Sequence, residues 1–291
     1  EGVHYTREYF NSYPDNIMAV RLSADQAGKI SFDTNLENLI NGTAYTNTVD
    51  GDTITMRDAL STNGLNVEAQ LKVINEGGSL STGTNGGNPA ITVSGADAVT
   101  LIFACGTDYK MKLPNFRGED PHKAVTARID AAAKKGYEAL KADHIADHSA
   151  LFSRVELGFD EEIPQIPTDE LIKKYRNTIE NNGGDIPTSA EQRALEIMCY
   201  QFGRYLTIAG SRDGALPTNL QGVWGEGWFT WYGDYHFNIN VQMNYWPTMA
   251  SNLSECMKPY NDLLNVLKQA GRNAAAASFG IKSNPGEENG W

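Results

Sequence analysis

Apolar and polar positions alternate with a period of two from Val3 to about Lys112, and three-and-four spacing replaces the alternation beyond that point. Lys29-Ile30-Ser31-Phe32-Asp33 is the cleanest run, and Thr53 to Arg57 and Val67 to Val73 repeat it. Successive side chains of a strand point to opposite faces, so each run predicts a strand with one buried and one solvated face. The solvated face is the expected place for every polar residue in these runs. Ile17 to Leu22 is a further strand, and the opening text, VHYTREYF, is strand-like too. Ala98 to Cys105 (AVTLIFAC) is apolar throughout, which predicts a strand covered on both sides. Gly77-Gly78 and Gly86-Gly87-Asn88-Pro89 read as turns. Short strands broken by Gly and Asn predict a β-sandwich over residues 1–115.

The helical pattern opens at Asp120-Pro121, with Pro at the first helical position. Ala124 to Ala150 is rich in Ala, Lys and Leu, and Gly136 divides it into two helices. Ala139, Leu140, Ile145 and Leu151 form a partial apolar stripe. Phe152 to Phe159 reads as a short strand, and Thr168 to about Glu180 as a helix stopped by Asn182-Gly183-Gly184-Asp185. Residues 116–185 are therefore expected to be a helical linker region. A long helix from Ala190 to about Ala209 follows, with Ser189 and Gln192 in the spacing of a capping box. Its Ala194, Leu195, Met198, Cys199, Phe202, Tyr205 and Leu206 predict one buried face. The last helix runs from about Leu253 to Ala277, with Pro259 kinking it or marking its true start. Between these two helices lie about forty residues, a length that inside a helical domain points to function.

Composition narrows the function classes. The chain has 291 residues, 41% of them hydrophobic and 21% charged, which fits a folded chain of about two domains. Its net charge of −12 argues against sequence-independent nucleic-acid binding, which depends on Lys and Arg at phosphates. A neutral ligand fits better than a polyanion. No run of eighteen apolar residues is present, so no membrane span is expected. Cys105, Cys199 and Cys256 are too scattered for a disulfide framework, and Cys105 and Cys199 lie in apolar text that predicts buried thiols. His144 and His148 are four apart but lack a third ligand nearby, so neither a metal nor a cofactor is expected. The chain begins at Glu1 and closes on the loop text SNPGEENGW, which suggests a piece cut at both ends.

The densest chemistry lies between Leu216 and Trp246. This stretch carries Trp224, Trp228, Trp231 and Trp246, His236, and the carboxamides Asn219, Gln221, Asn238, Asn240, Gln242 and Asn244. Aromatic faces and carboxamides together suit a sugar, whose ring faces are C–H and whose rim is hydroxyl. Read as an extended segment, it sets His236, Asn238, Asn240, Gln242 and Asn244 on one face, backed by Ile239, Val241 and Met243. Such a row left unsatisfied would be costly inside a core. The competing reading is packing, in which the tryptophans cover helix ends and the carboxamides satisfy buried backbone groups.

LPTNLQGVW, then DYHFNINVQMNYWP, then Asn252-Leu253-Ser254-Glu255-Cys256 closely resemble glycoside hydrolase family 95, which holds mainly α-L-fucosidases acting on 1,2-linked fucose and some α-L-galactosidases. The resemblance extends to Tyr5-Thr6-Arg7-Glu8-Tyr9-Phe10, with Tyr13-Pro14-Asp15, and to HSALFSRV from His148. It implies a fold of β plus α: an incomplete N-terminal β-sandwich, a helical linker and, over 186–291, the start of an (α/α)6 barrel. It also implies an inverting reaction, with a Glu as general acid and a water activated by an Asp and two Asn residues at i and i+2. Asn238 and Asn240 match that pair. His236 would contact a sugar hydroxyl, Trp224 would wall the pocket, with a core role for it equally open, and Asn244 would join the substrate-binding set. The resemblance puts the acid and base beyond residue 291, so this chain is expected to carry part of an active site. Glu226, Asp234 and Glu255 are not promoted in their place: Asp234 reads as fixing the loop and Glu255 as complementing a helix dipole. The expected partner is a fucosylated oligosaccharide or glycan. A non-catalytic carbohydrate-binding protein, an α-L-galactosidase and a purely structural protein stay open as alternatives.

Overall fold

The computed structural model describes residues 2–38, 45–158, 165–181, 190–225 and 230–281. They fall into two compact units, Glu1–Asp147 and His148–Trp291.

The first unit is built from β1 (Tyr5–Ser12), β2 (Ile17–Ala24), β3 (Ile30–Thr34), β4 (Tyr45–Asp50), β5 (Thr53–Ala59), β6 (Asn66–Glu76), β7 (Ser79–Asn85), β8 (Asn88–Ala96) and β9 (Ala98–Thr107), followed by α1 (His122–Lys135) and the greater part of α2 (Tyr137–Phe152). One sheet has the order β1-β2-β9-β6-β5-β4 and the other β3-β8-β7, with every pairing antiparallel. β9 lies inside the larger sheet, between β2 and β6. Its alternation serves two cores. Val99, with Leu101 and Phe103, joins Ile54, Val73, Ile91 and Val93 between the sheets, while Ile102 and Ala104 join Ile17, Ala19, Val125 and Ile129 beneath α1. A strand covered on both sides has no solvated face, which is why its text is apolar throughout. Cys105 continues the face of Leu101 and Phe103 past the end of the inter-sheet core and is exposed, against the expectation of a buried thiol.

Gly136, with φ of 81°, ends α1 by donating its N–H to the Ala132 carbonyl, and α2 begins at the next residue. Val125, Ile129 and Ala132 are the buried stripe of α1. Because α1 lies over β6, two polar positions expected in solvent are buried. Glu68 is fully buried and Gln70 nearly so. Glu68 Oε1 accepts from Gln70 Nε2 at 2.7 Å and lies 2.8 Å from His122 Nδ1, and Oε2 lies 3.3 Å from Arg57 Nε. A carboxylate taken out of water needs such partners.

The second unit holds the end of α2, α3 (Thr168–Asn181), α4 (Ala190–Gly210), α5 (Asn240–Ala250) and α6 (Lys258–Phe279). The strand expected at Phe152 to Phe159 is absent over its described part, since α2 runs through Phe152 and residues 155–158 have no regular structure. The expected capping box at Ser189 and the stop at Asn182 lie outside the described residues or side chains. Pro259 marks a true helix start: it lies in the first turn of α6, after a 3-10 turn at Ser254–Met257.

α4 buries a different face from the one its apolar spacing predicts. Ala194 and Leu195 are buried, but Cys199, Phe202 and Tyr205 are exposed. The inward side instead presents Ile208 and Arg204. Ile208 packs with Leu151, Leu253 and Cys256. Arg204 is 2% exposed and donates to the carbonyls of Leu151 at 2.9 Å, Phe152 at 2.7 Å and Ser251 at 3.3 Å, and to Gln201 Oε1 at 3.0 Å. Leu151 and Phe152 end α2, where carbonyls lack helical partners and a cation is favoured. A guanidinium has five donors in a fixed fork, so one side chain can satisfy several carbonyls at once.

Candidate active site

The motif-rich stretch is not extended. His236 is followed by a turn at 237–239, and α5 begins at Asn240. The Val241 N–H reaches the His236 carbonyl at 3.1 Å and the Met243 N–H the Ile239 carbonyl at 2.9 Å. The physical reason lies in spacing that competes with the alternating carboxamides. Val241, Tyr245 and Thr248, at i, i+4 and i+7, are all buried, so the apolar demand is helical. The single face of five polar groups is therefore corrected. Asn238 is exposed in the turn, and Asn240 is the first residue of α5 and half-buried. Gln242 and Asn244 turn their amide nitrogens to backbone: Gln242 Nε2 donates to the Phe237 carbonyl at 2.7 Å and Asn244 Nδ2 to the Asn219 carbonyl at 2.5 Å. Ile239 and Met243, expected as the apolar back, are 43% and 48% exposed.

Around this junction lie two loops. In the first, Asn219 and Gly222 exchange backbone hydrogen bonds, both 3.0 Å, and the Gln221 N–H reaches Asn219 Oδ1 at 2.9 Å. Gly222 has φ of 71°, and an added Cβ would lie 3.1 Å from Trp224 Cδ1, so glycine lets the indole fold back over the turn. Trp224 keeps nearly half its surface exposed. The loop is seated on the end of α4, where a Cβ at Gly210 would meet Thr218 and Val223 at 3.3 and 3.4 Å.

The second loop carries Trp231 and Tyr232, both left-handed with φ of 58° and 59°, and both exposed. Left-handed backbone at bulky residues costs about 1 kcal/mol or more each, and such strain clusters where ligands are handled. Trp231 meets the His236 ring edge-on, with centroids 5.5 Å apart. His236 Nδ1 lies against the Asp234 carboxylate. That contact occupies one of the two ring nitrogens of His236. Trp228 and Glu226 fall outside the described residues.

The nearby carboxylates are engaged. Asp234 pairs with His236, and Glu255 Oε1 lies 2.7 Å from Arg154 Nη1. Its own backbone N–H and Arg154 hold the Glu255 carboxyl below the usual range, which keeps it ionised at neutral pH and unsuited to give up a proton. Among the described residues no group of three His, Cys, Asp or Glu could hold a metal ion. No described helix is long and apolar enough to cross a membrane. A cleft of about 210 Å³ between α4 and α5, lined in part by Cys199, Tyr200, Thr207, Pro247 and Leu253, includes none of His236, Asn238, Asn240, Trp224 and Asn244.

Sequence reasoning missed Tyr245, Ser211 and Arg204. Tyr245 is 4% exposed; its hydroxyl lies 2.8 Å from Ser211 Oγ and accepts from the Thr218 N–H at 3.0 Å. The helical spacing of Val241, Tyr245 and Thr248 was the available signal.

Antiparallel sheets are followed by helices, and aromatic rings and carboxamides gather at the start of α5. Comparison with known proteins identifies the family. The model of the glycosyl hydrolase family 95 catalytic domain matches residues 136–291, and that of the glycosyl hydrolase family 65 N-terminal domain matches residues 1–112. The chain belongs to glycosyl hydrolase family 95. It is 34% identical over 264 residues to Probable alpha-fucosidase A of Aspergillus niger, covering 87% of this chain and 32% of that one. It is 30% identical over 304 residues to Alpha-L-fucosidase 2 of Arabidopsis thaliana, covering 96% of this chain and 35% of that one. The chain thus spans about a third of the length of these curated relatives. In fold it is similar to a solved structure named as a candidate kojibiose phosphorylase from human microbiome, with a TM-score of 0.53 at 10% identity, over 91% of this chain and 32% of that one.

Proposed function

We propose that this chain is part of a glycoside hydrolase that releases terminal 1,2-linked α-L-fucosyl residues from oligosaccharides with inversion. In this reading residues 1–115 are sandwich, 116–185 linker and 186–291 the opening of an (α/α)6 catalytic barrel. The observation that carries it is the junction at the start of α5, where the His236–Asp234 pair, Asn238 and Asn240 follow one another and an exposed Trp231 meets the imidazole edge-on. The names of the fucosidase relatives support the same substrate class.

The chemistry follows from the groups. His236 Nε2 meets a sugar hydroxyl, and Trp224 offers an indole face to the ring. The carboxamide oxygens of Asn238 and Asn240 accept from the attacking water and orient it. An amide is too weak a base to take the water's proton. That step is given to an Asp, and protonation of the leaving oxygen to a Glu, both on later barrel helices as the family resemblance implies. Asp234 and Glu255 keep structural roles.

The test uses the enzyme that carries this chain, with a 2′-fucosylated oligosaccharide. Asn238→Asp and Asn240→Ala are expected to lower kcat about 100-fold or more while melting within a few degrees of wild type. Wild-type rates in both variants would sink the proposal. NMR of the first-formed fucose should show the β anomer, and α fucose appearing first would remove inversion.

A further inference from the structure

Two hydroxyls buried behind the junction have a determined direction. Ser211 Oγ donates to the Cys256 carbonyl at 2.8 Å, and a carbonyl can only accept. A hydroxyl has one proton. In the 2.8 Å contact between Ser211 and Tyr245 the donor is therefore Tyr245. Its oxygen in turn accepts the Thr218 N–H at 3.0 Å. The result is a one-way chain, Thr218 N–H to Tyr245 O–H to Ser211 O–H to Cys256 carbonyl. Bonds aligned head to tail in a buried setting polarise one another. The Tyr245 ring is held from the other side by stacking on Tyr260, with centroids 5.0 Å apart.

The chain does not stop at Thr218. Asn244, the neighbour of Tyr245 on α5, fixes the next carbonyl of the loop, that of Asn219. Asn219 Nδ2 then donates to the Gly233 carbonyl at 2.8 Å, one residue before Asp234, which holds His236. Two adjacent α5 residues therefore grip the Trp224 loop, and that loop grips the His236 loop.

We infer that Tyr245 and Asn219 are positioning residues, which transmit the register of α5 through the 217–222 loop to His236 and so set the imidazole against Asn238 and Asn240. The inference rests on the functional reading above for its meaning in catalysis, but the mechanical connection is separately measurable. It gives Asn244 a role in this grip beside the substrate contact expected of it. It also accounts for a buried tyrosine hydroxyl in a helix whose other buried positions could be apolar.

Tyr245→Phe removes one oxygen and keeps the ring. Asn219→Ala cuts the next link. In the enzyme carrying this chain, each is expected to lower kcat about 10- to 100-fold with KM within about threefold, as a misplaced catalytic group would do. The double variant should be no worse than the weaker single by more than about threefold, since both break one connection. NMR provides a readout independent of turnover: Tyr245→Phe should shift the His236 ring signals and speed amide exchange at Thr218 at least tenfold. Tyr260→Phe, which keeps the stacking ring and lies outside the chain, should leave the His236 signals in place. Unmoved His236 signals in Tyr245→Phe, or multiplicative losses in the double variant, would overturn the inference. Absence of turnover in the wild type would overturn the hydrolase reading alone, and the NMR arm would still decide the connection.

Discussion

The two units bury themselves by different means. In the sheet unit Ile54, Val73, Ile91, Val93, Val99 and Ile102 are completely buried, in two cores that share β9. Among the described residues of the helical unit the apolar cluster is small, and Phe202, Trp231, Tyr232, Trp246 and Met249 are each more than half exposed. Polar connections replace apolar volume there. Arg204 ties the end of α2 to α4 and to the end of α5, and Tyr245 ties α4, α5 and the Trp224 loop together. An apolar core is tolerant of small shifts, because its attraction is undirected. Hydrogen bonds demand fixed distances and angles. The unit proposed to carry the sugar site is the one organised by directed bonds, which suits side chains that must be aimed rather than merely packed.

The largest effect expected from this contrast is in the sheet unit. Ile102→Ala should cost about 3 to 4 kcal/mol, the transfer and cavity cost of a fully buried isoleucine, read as a lower urea midpoint at unchanged slope. Arg204→Met comes next. It keeps the stem and strips the donors, leaving the carbonyls of Leu151, Phe152 and Ser251 without the guanidinium, and should cost about 2 to 3 kcal/mol. A loss under 0.5 kcal/mol would mean that water replaces Arg204 without penalty and that the polar account of this unit is wrong. The smallest effect is expected at Trp246, which is 63% exposed: Trp246→Ser should stay within about 0.5 kcal/mol. A loss near 2 kcal/mol would show this indole to be part of an apolar core after all.

How much of this the sequence discloses depends on which residues must be apolar. β2, β3, β5, β6 and β9 are readable because each buries at least one regular face. β7 escapes notice because SLSTGTN, at a sheet edge, can be polar without burying a charge, and the central β8 because its opening Asn88-Pro89 reads as part of the turn at Gly86-Gly87, whereas both residues lie in the strand. Glu68 looks solvated in an alternating run, and only the lie of α1 across β6 makes it buried. At α5 two periods overlap in the same text. The carboxamides alternate by two, whereas Val241, Tyr245 and Thr248 are spaced for a helix, and burial decides for the helix. The chemical content of the stretch is visible in its residue types. Its geometry is not, because Asn244 and Gln242 spend their amide nitrogens on backbone carbonyls of loops that no local pattern locates.

The most direct test of a glycan site in the helical unit is an NMR titration of the isotopically labelled chain with L-fucose. Progressive shifts are predicted at the His236 ring, the Asn240 side-chain amide and the Trp224 indole N–H, with the sheet-unit amides of Ile54, Val73 and Ile102 unmoved. Shifts confined to the sheet unit, or none at millimolar sugar, would contradict the assignment of this junction as the sugar site.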